Sequence, residues 1–391
     1  MSKQTVINDF DFHGKALDNI FADYEVMLEK QPVGYSSKHG GFWYVAKSED
    51  IFDAEQDPKT WSVAPSMLLP AFGTDSPLIP IDIDPPAHTG YRKILLPMFT
   101  PMAVRKLEPG MHQTSQELAE RLFELADEEG VVDACHEYAR PMPTIIFSRL
   151  AGYPEEDWSK FDRWVDEIIA DRTKNPEQAV IAGNELYAYM QKLFDDRREN
   201  PTESDDIMNK LLNSKVDGRD LTNEELLSYG YLLFVAGLET TAWAIRASLW
   251  YLAQNKEAQQ KLRENPELIP TAAEEFLRTL SPVQGMARTA LKDTEVRGQE
   301  IKAGERVVLV FGAGNRDPEI FDNPNEIDIE REDNRHLGFG GGIHRCLGSN
   351  LGRKELVIAL EKFLSTIPDF ELAGDSVWHG VGPLPLRIKK G

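Results

Sequence analysis

Cysteine is scarce in this chain: Cys135 and Cys346 are the only two among 391 residues. Cys346 lies in the stretch Phe339-Gly340-Gly341-Gly342-Ile343-His344-Arg345-Cys346-Leu347-Gly348. Glycines at that density let a backbone wrap closely around a group or take positive φ at no steric cost. An amphipathic helical run follows, and a cysteine at the start of a helix sits where the dipole favours its thiolate. A thiolate on a glycine-walled loop is a soft metal ligand, and a single thiolate is the axial ligand of one class of haem iron. Three other readings stay open for this stretch: a phosphate-binding loop, a nucleophile and a buried structural thiol. The phosphate loop is the weakest. Asp333-Asn334-Arg335-His336 before it does not read as a buried strand, and no Lys-Ser/Thr pair follows.

A second group with chemistry in it is Ala236-Gly237-Leu238-Glu239-Thr240-Thr241. It falls in a run that is apolar all round from Leu232 to Leu238, so its helix crosses the interior. Glycine weakens a helix there, and an acid is costly to bury. A threonine can bond back to the carbonyl four residues earlier and open the ladder. The group predicts a local distortion with polar side chains facing a cavity, or else an acid that only meets a salt-bridge partner. Glu275 and Arg278 share a face of the next helix and can pair. His88, Arg92, Arg288 and His344 are candidates to hold an anionic group. Arg288 sits in an otherwise uncharged stretch from Ser281, and a forked guanidinium suits a carboxylate.

The elements that must position these residues are mostly helical. A helix ends near Lys30, Phe42 to Ala46 reads as a strand, and Ser48-Glu49-Asp50 caps a short helix. Residues 64–86 form a long loop rich in proline and large apolar groups, with no Lys or Arg between Trp61 and Asp84. It is too hydrophobic for disorder, which predicts that it covers something apolar. Asp84-Pro85-Pro86 then starts a helix holding His88 and Arg92. Helical periodicity runs over Val104 to Glu128, Glu156 to Asp171 and Ala179 to Arg198, and Glu203-Ser204-Asp205-Asp206 reads as a solvated turn. Thr222-Asn223-Glu224-Glu225 opens a helix of about 30 residues to Asn255, and another spans Thr271 to Leu280. Strands follow at Glu295-Val296 and Val307 to Val310. The reading is a mainly α chain with small β-sheets, a single domain over 1–391.

Composition narrows the partners. A hydrophobic share of 41 % with 28 % charged residues is that of an ordinary globular protein. The net charge of −22 argues against nucleic acid and anionic membranes. Two cysteines make no disulfide framework, Met1 to Val6 shows no apolar signal core, and the apolar run Tyr231 to Leu238 is too short to span a bilayer. The expectation is a soluble cytoplasmic protein.

Taken together, these pieces resemble the cytochrome P-450 superfamily of haem-thiolate monooxygenases, in its soluble bacterial form, along essentially the whole chain. Phe339 to Cys346 and Gly348 match the family's haem-binding signature. Glu275-Phe276-Leu277-Arg278 matches its Glu-x-x-Arg, with Arg331 placed as the third partner. Ala236-Gly237-x-Glu239-Thr240 matches its acid–alcohol pair, and His88-x-x-x-Arg92, Arg288 and His344 match its propionate contacts. Gly352, after Leu351, departs from the family's usual alanine.

The resemblance implies the cytochrome P-450 fold, with a long central helix over haem b. It implies Cys346 as the ligand of the haem iron, with Phe339 shielding it and Gly348 in the loop. It implies Glu239 and Thr240 as catalytic proton handlers for dioxygen chemistry. The expected reaction inserts one oxygen atom of O2 into a neutral hydrophobic small molecule. Electrons would come from a ferredoxin or flavodoxin and its NAD(P)H reductase, docking at Arg105, Arg345, Arg353 and Lys354 on a monomer. The pocket would be lined by the 64–83 loop, Leu233 to Thr240, Val283 to Met286 and Val381 to Leu384, with Gln284 a polar anchor. A haem-thiolate isomerase or dehydratase, and a haem-binding sensor not using O2, remain the alternatives.

Overall fold

The computed structural model describes residues 9–11, 13, 17–74, 76–126, 128–170, 172–374 and 382–389. Helices carry most of it, and the strands form small sheets, as the sequence reading expects. The largest sheet runs in the order Val33–Ser36, Phe42–Val45, Arg306–Leu309, Met286–Ala290, Trp61–Ser62. Arg306–Leu309 lies parallel to Phe42–Val45 and antiparallel to Met286–Ala290, which sets Arg288 opposite Val307. A second sheet joins Phe370–Leu372, Pro385–Ile388 and Val131–Asp133.

The interior helix is broken. One helix spans Asn223–Gly237 and a second spans Glu239–Gln254, with Leu238 between them at φ −95°, ψ −60°. The cause is the side chain the sequence singled out: Thr240 Oγ1 donates to the Ala236 carbonyl at 2.9 Å. That carbonyl is thereby satisfied without the regular ladder. The run begins on a capping box: the Glu225 amide donates to Thr222 Oγ1 at 3.2 Å, and the Thr222 amide to Glu225 Oε2 at 2.7 Å. Over Asn223–Gln254 this stretch is long and apolar enough to cross a membrane, but 78 % of its apolar window is buried inside the protein. Among the described residues no other helix meets that test.

The helix after the cysteine, Ser349–Thr366, packs most extensively on Pro101–Leu125 and also touches Glu239–Gln254 and Ile269–Leu280. Its buried face, Leu351, Leu356, Ala359, Leu360 and Phe363, has the helical spacing of a core stripe. The His88–Arg92 helix, Ala87–Leu95, is fastened through Tyr91. The Tyr91 hydroxyl donates to Glu225 Oε1 at 2.6 Å, and the Tyr91 carbonyl accepts from Tyr229 at 2.8 Å. The side chain that caps the central helix therefore also positions the helix of His88 and Arg92.

Three local expectations change. Ser48 is the first residue of its helix, Ser48–Gln56, and Lys47 at the N-cap makes no side-chain cap. Asp206 is not solvated. It is buried, caps Ile207–Leu212 through the Asn209 amide at 2.8 Å, and pairs with Arg197 at 2.8 Å. The Glu156 to Asp171 run holds a shorter α-helix, Trp158–Val165, followed by one wider turn over Asp166–Ala170.

Candidate functional site

A cavity of about 240 Å³ opens between the cysteine loop and the broken helix. Cys346, Phe339, Gly348, His344 and Arg92 line one side, and Thr240, Ala236, Leu233 and Met286 line the other. Its loop wall is built by backbone bonds: the Gly340 amide donates to the Leu337 carbonyl at 2.8 Å, and the Cys346 amide to the Phe339 carbonyl at 2.8 Å. Gly340 and Gly342 take φ of +59° and +57°, which favours glycine at both. The Cys346 side chain is accessible, and what it opens onto is this cavity. Burial pushes its thiol up, and the Gly348 amide, Arg92, Arg345 and Arg353 oppose that. Burial thus works against the thiolate that the helix dipole favours. Phe339 packs under the Arg353 guanidinium, 4.2 Å from its ring centre. Gly352 also lines the cavity. A Cβ there would meet Thr241 Oγ1 at 3.5 Å and Phe339 at 4.0 Å, ordinary contacts, so alanine and glycine are both accommodated.

The four anion-holding candidates converge on one corner. The His88 and His344 rings lie 4.3 Å apart, and each keeps a buried Nε2 without a hydrogen-bond partner. Burial, His88, Arg288 and Arg92 push His344 down to about 3, so its ring is neutral. Arg288 shares a face of its strand with cavity-lining Met286 and is buried, with Nη1 donating to the Ala287 carbonyl at 3.0 Å. Arg92 donates through Nη2 to the Arg345 carbonyl, which ties its helix to the cysteine loop. Orphaned ring nitrogens beside two guanidiniums are unfinished without an anion. A haem, with its carboxylates at this corner and its iron at Cys346, fits the donor set.

The acid and the alcohol part company. Thr240 faces the cavity, but Glu239, 7 % exposed, turns to a separate void of about 10 Å³ lined by Arg140, Asp162 and Val165. Such a void is on the scale of one water. Arg246 Nη2 stands 3.5 Å and Arg140 Nε 3.8 Å from its carboxylate oxygens, and Oε1 makes no hydrogen bond. Burial pushes this carboxyl up, and Arg246 and Arg140 oppose the shift. Arg140 also binds Asp162 at 2.7 Å and Asp166, so carboxylates lead outward from the void.

Glu275, 0 % exposed, is saturated instead. It accepts from Arg278 Nε and Nη2 at 2.8 and 2.7 Å, Arg331 Nε at 3.2 Å, Asn334 Nδ2 at 2.9 Å and the Asp328 amide at 2.9 Å. Arg331 is where the sequence resemblance expects it. Arg278 Nη1 also donates to the Asn315 carbonyl at 2.8 Å, and Asn315 Oδ1 accepts from the Leu337 amide at 2.6 Å. The network thus holds the entrance to the cysteine loop.

Part of the expected pocket wall is not there. Gln284 donates to the Leu280 and Ser281 carbonyls and accepts from Tyr24 at 2.7 Å, so its amide is spent on the backbone and is no substrate anchor. Val381 lies outside the described residues. Gly382 accepts from Arg246, and Leu384 is buried with its amide on Asp133, so neither lines the cavity. The loop at 64–83 contributes Met67, Pro80 and Ile81. Residues the sequence reading missed are Arg140 and Arg246, Glu55 and Glu355. Arg246 lies seven residues after Glu239, two turns along one helix face, a readable signal. Glu355, 1 % exposed, interrupts the apolar stripe after the cysteine. Burial drives its carboxyl well above the ordinary range, the Thr241 hydroxyl opposes that shift, and Glu355 lines the cavity.

This geometry has counterparts. The Cytochrome P450 family model matches residues 80–373. The chain is 38 % identical over 317 residues to the polyketide biosynthesis cytochrome P450 PksS of Bacillus subtilis, covering 78 % of this chain and 77 % of that one. It is 31 % identical to a steroid C26-monooxygenase of Mycolicibacterium smegmatis, covering 100 % of this chain and 93 % of that protein. Its structure resembles that of CYP109E1 from Bacillus megaterium in complex with testosterone, with a TM-score of 0.78, 30 % identity, and 94 % and 98 % of the two chains covered. With a cysteine set on a glycine loop facing an opened helix and two histidines and two arginines gathered at one corner, the chain belongs to the cytochrome P450 family, as a haem-binding monooxygenase.

Proposed function

We propose that this monooxygenase oxidises a neutral hydrophobic small molecule, of terpenoid, aromatic, alkyl or steroid type, using electrons from a separate protein. The carrying observation is the wall above Cys346. Met67, Ile81, Leu232, Leu233, Val283 and Met286 are apolar, and two cations that approach the 64–83 loop are committed: Arg172 lies over the Phe72 ring, 4.3 Å from its centre, and donates to the Ile169 carbonyl, while Arg306 is held by loop carbonyls. Arg306 bonds the Ala64 carbonyl at 3.3 Å and the Ser66 carbonyl. A carboxylate there would be desolvated without a partner. The steroid C26-monooxygenase among the relatives and the testosterone complex among the solved structures support the class.

Haem held by Cys346 supplies binding and reductive activation of dioxygen. Cys346 would hold the iron, Phe339 and Gly348 would enclose it, and His88, Arg92, Arg288 and His344 would hold the carboxylates. Thr240 would keep a hydroxyl at the oxygen-facing side of the opened helix. Glu239 would pass protons from the Arg140–Asp162–Asp166 side, as a positioned acid can. Arg105 and Arg345 are exposed and available to an acidic redox protein such as a ferredoxin. Arg353 is held bidentate by Glu274 at 2.7 and 3.0 Å, and Lys354 meets Glu108 at 3.4 Å, so these two contribute less. Exposed Leu96, Met102 and Ile343 on neighbouring segments suit a protein surface. A cytoplasmic monomer acting as one domain completes the reading.

The test is a spin-state titration of the holoenzyme with matched neutral and carboxylate hydrophobes. Neutral compounds should bind at least about tenfold more tightly, a difference of about 1.4 kcal/mol. Equal or tighter binding of the carboxylates would overturn the substrate class. The reduced, carbon-monoxide-bound spectrum of thiolate type, lost in Cys346→Ala, checks the ligand separately.

A further inference from the structure

Glu55, near the end of the Ser48–Gln56 helix, is 6 % exposed and lies flat on the cysteine loop. A Cβ on Gly340 would stand 2.9 Å from its Oε1, and one on Gly341 2.7 Å from its Oε2, so glycine there is what admits the carboxyl. The Gly341 amide faces the group, while Oε2 is buried and receives no hydrogen bond. Arg288 Nη2 stands 3.7 Å from Oε1, beyond hydrogen-bond reach. Among the described residues Arg288 is the charged group acting on Glu55, and Arg288 in turn feels Asp84 and Arg306. His344 and His88, which complete the corner, are both pushed toward neutrality by burial.

This inference rests on the reading of Arg288 and Arg92 as partners of the haem propionates. Under that reading, haem brings carboxylates to a corner that already holds one. The cations there are Arg288 and Arg92, and Arg92 is partly spent on the Arg345 carbonyl. Carboxylates crowded at close range do not all stay ionised. We propose that Glu55 is a positioning acid of the haem site, which yields Arg288 to a propionate, takes up a proton from solvent when haem is loaded, and stays in the corner as a neutral hydrogen-bond donor against the glycine loop. Burial already pushes its carboxyl above the ordinary range. The sign follows: haem retention should weaken as pH rises and the proton becomes harder to keep.

The experiment follows haem transfer from the holoenzyme to apomyoglobin from neutral to alkaline pH, in wild type, Glu55→Gln and Arg288→Ala. Wild type should release haem faster as pH rises, by up to about tenfold per unit. Glu55→Gln should flatten that rise and hold haem at least as well at the alkaline end. The infrared carbonyl stretch of a protonated carboxyl in the holoenzyme should be missing from the variant. Faster release from Glu55→Gln at neutral pH, or an unchanged slope and infrared band, would overturn the proposal. Arg288→Ala separates the two layers. Fast release there beside a wild-type-like Glu55→Gln removes the role of Glu55 alone. Unchanged retention in Arg288→Ala removes the propionate assignment itself. Should Glu55→Gln fail to fold, Glu55→Met is read for the flattened slope and the missing infrared band alone, since a thioether donates no hydrogen bond.

Discussion

Two buried carboxylates, each facing two arginines, are built to opposite ends. Glu275 receives five hydrogen bonds of 3.2 Å or less, from Arg278, Arg331, Asn334 and a backbone amide. Glu239 has its arginines at 3.5 and 3.8 Å, beyond good hydrogen bonds, and one oxygen with no partner. A desolvated charge is tolerable only when its lone pairs are filled. Glu275 is therefore a fixed anion that locks the cysteine loop to the Ile269–Leu280 helix. Glu239 is left able to take or lose a proton beside a water-sized void. The difference lies in geometry, since residue types and burial are alike.

The comparison breaks most visibly at Glu275→Gln. Removing the anion strands the Arg278 and Arg331 guanidiniums, and the expected loss is about 3–5 kcal/mol of stability, with haem released. Denaturant midpoints check this, and a loss under about 1 kcal/mol would dissolve the contrast. Glu239→Gln should do the reverse. Its stability should stay within about 1 kcal/mol of wild type while turnover drops about a hundredfold, as expected when a proton-relaying group is lost. A variant that loses several kcal/mol of stability while keeping wild-type turnover per folded molecule would make Glu239 another lock.

A gentler probe is the pH dependence of stability, wild type against Glu239→Gln. Burial raises the folded carboxyl above its ordinary value of 4.5, so the folded state binds more protons in that window. The stability contributed by Glu239 is then full below 4.5 and is lost as pH rises through the folded value. The wild type should decline across that window and Glu239→Gln should not; parallel curves would count against a raised carboxyl. Smallest of all, Asn334→Ala removes one of the five bonds to Glu275 and should cost about 1 kcal/mol without touching turnover per folded molecule.

How much of this was readable in the chain differs from residue to residue. Thr240 was legible because a threonine after glycine in an apolar helix has few partners besides the carboxyl and carbonyls of its own helix. The bond to Ala236 and the break at Leu238 are local events. Arg331 was placed by resemblance, and His88 with Arg92 by helical spacing. Asp206 was misread because acid in a polar run looks solvated; its cap on the Asn209 amide is local, but its partner Arg197 comes from the preceding helix folded back onto it. Gln284 was misread for the same reason, its amide being claimed by Tyr24 and by carbonyls of the helix end before it. Glu55 sent no signal at all, because nothing near it in sequence says that a glycine loop nearly 300 residues later will lie against it.

By itself the sequence determined the mainly helical character, the capped central run, the cysteine on its glycine loop and the set of candidate anion holders. These depend on interactions within a few residues, where spacing equals geometry. Tertiary structure decided which acid is saturated and which is left poised, that Glu239 turns from the cavity while Thr240 faces it, and that Glu55 shares the corner with Arg288. Those outcomes are set by distances of a few tenths of an ångström between distant segments. A hydrogen bond weakens across that range, while the cost of burying the charge does not.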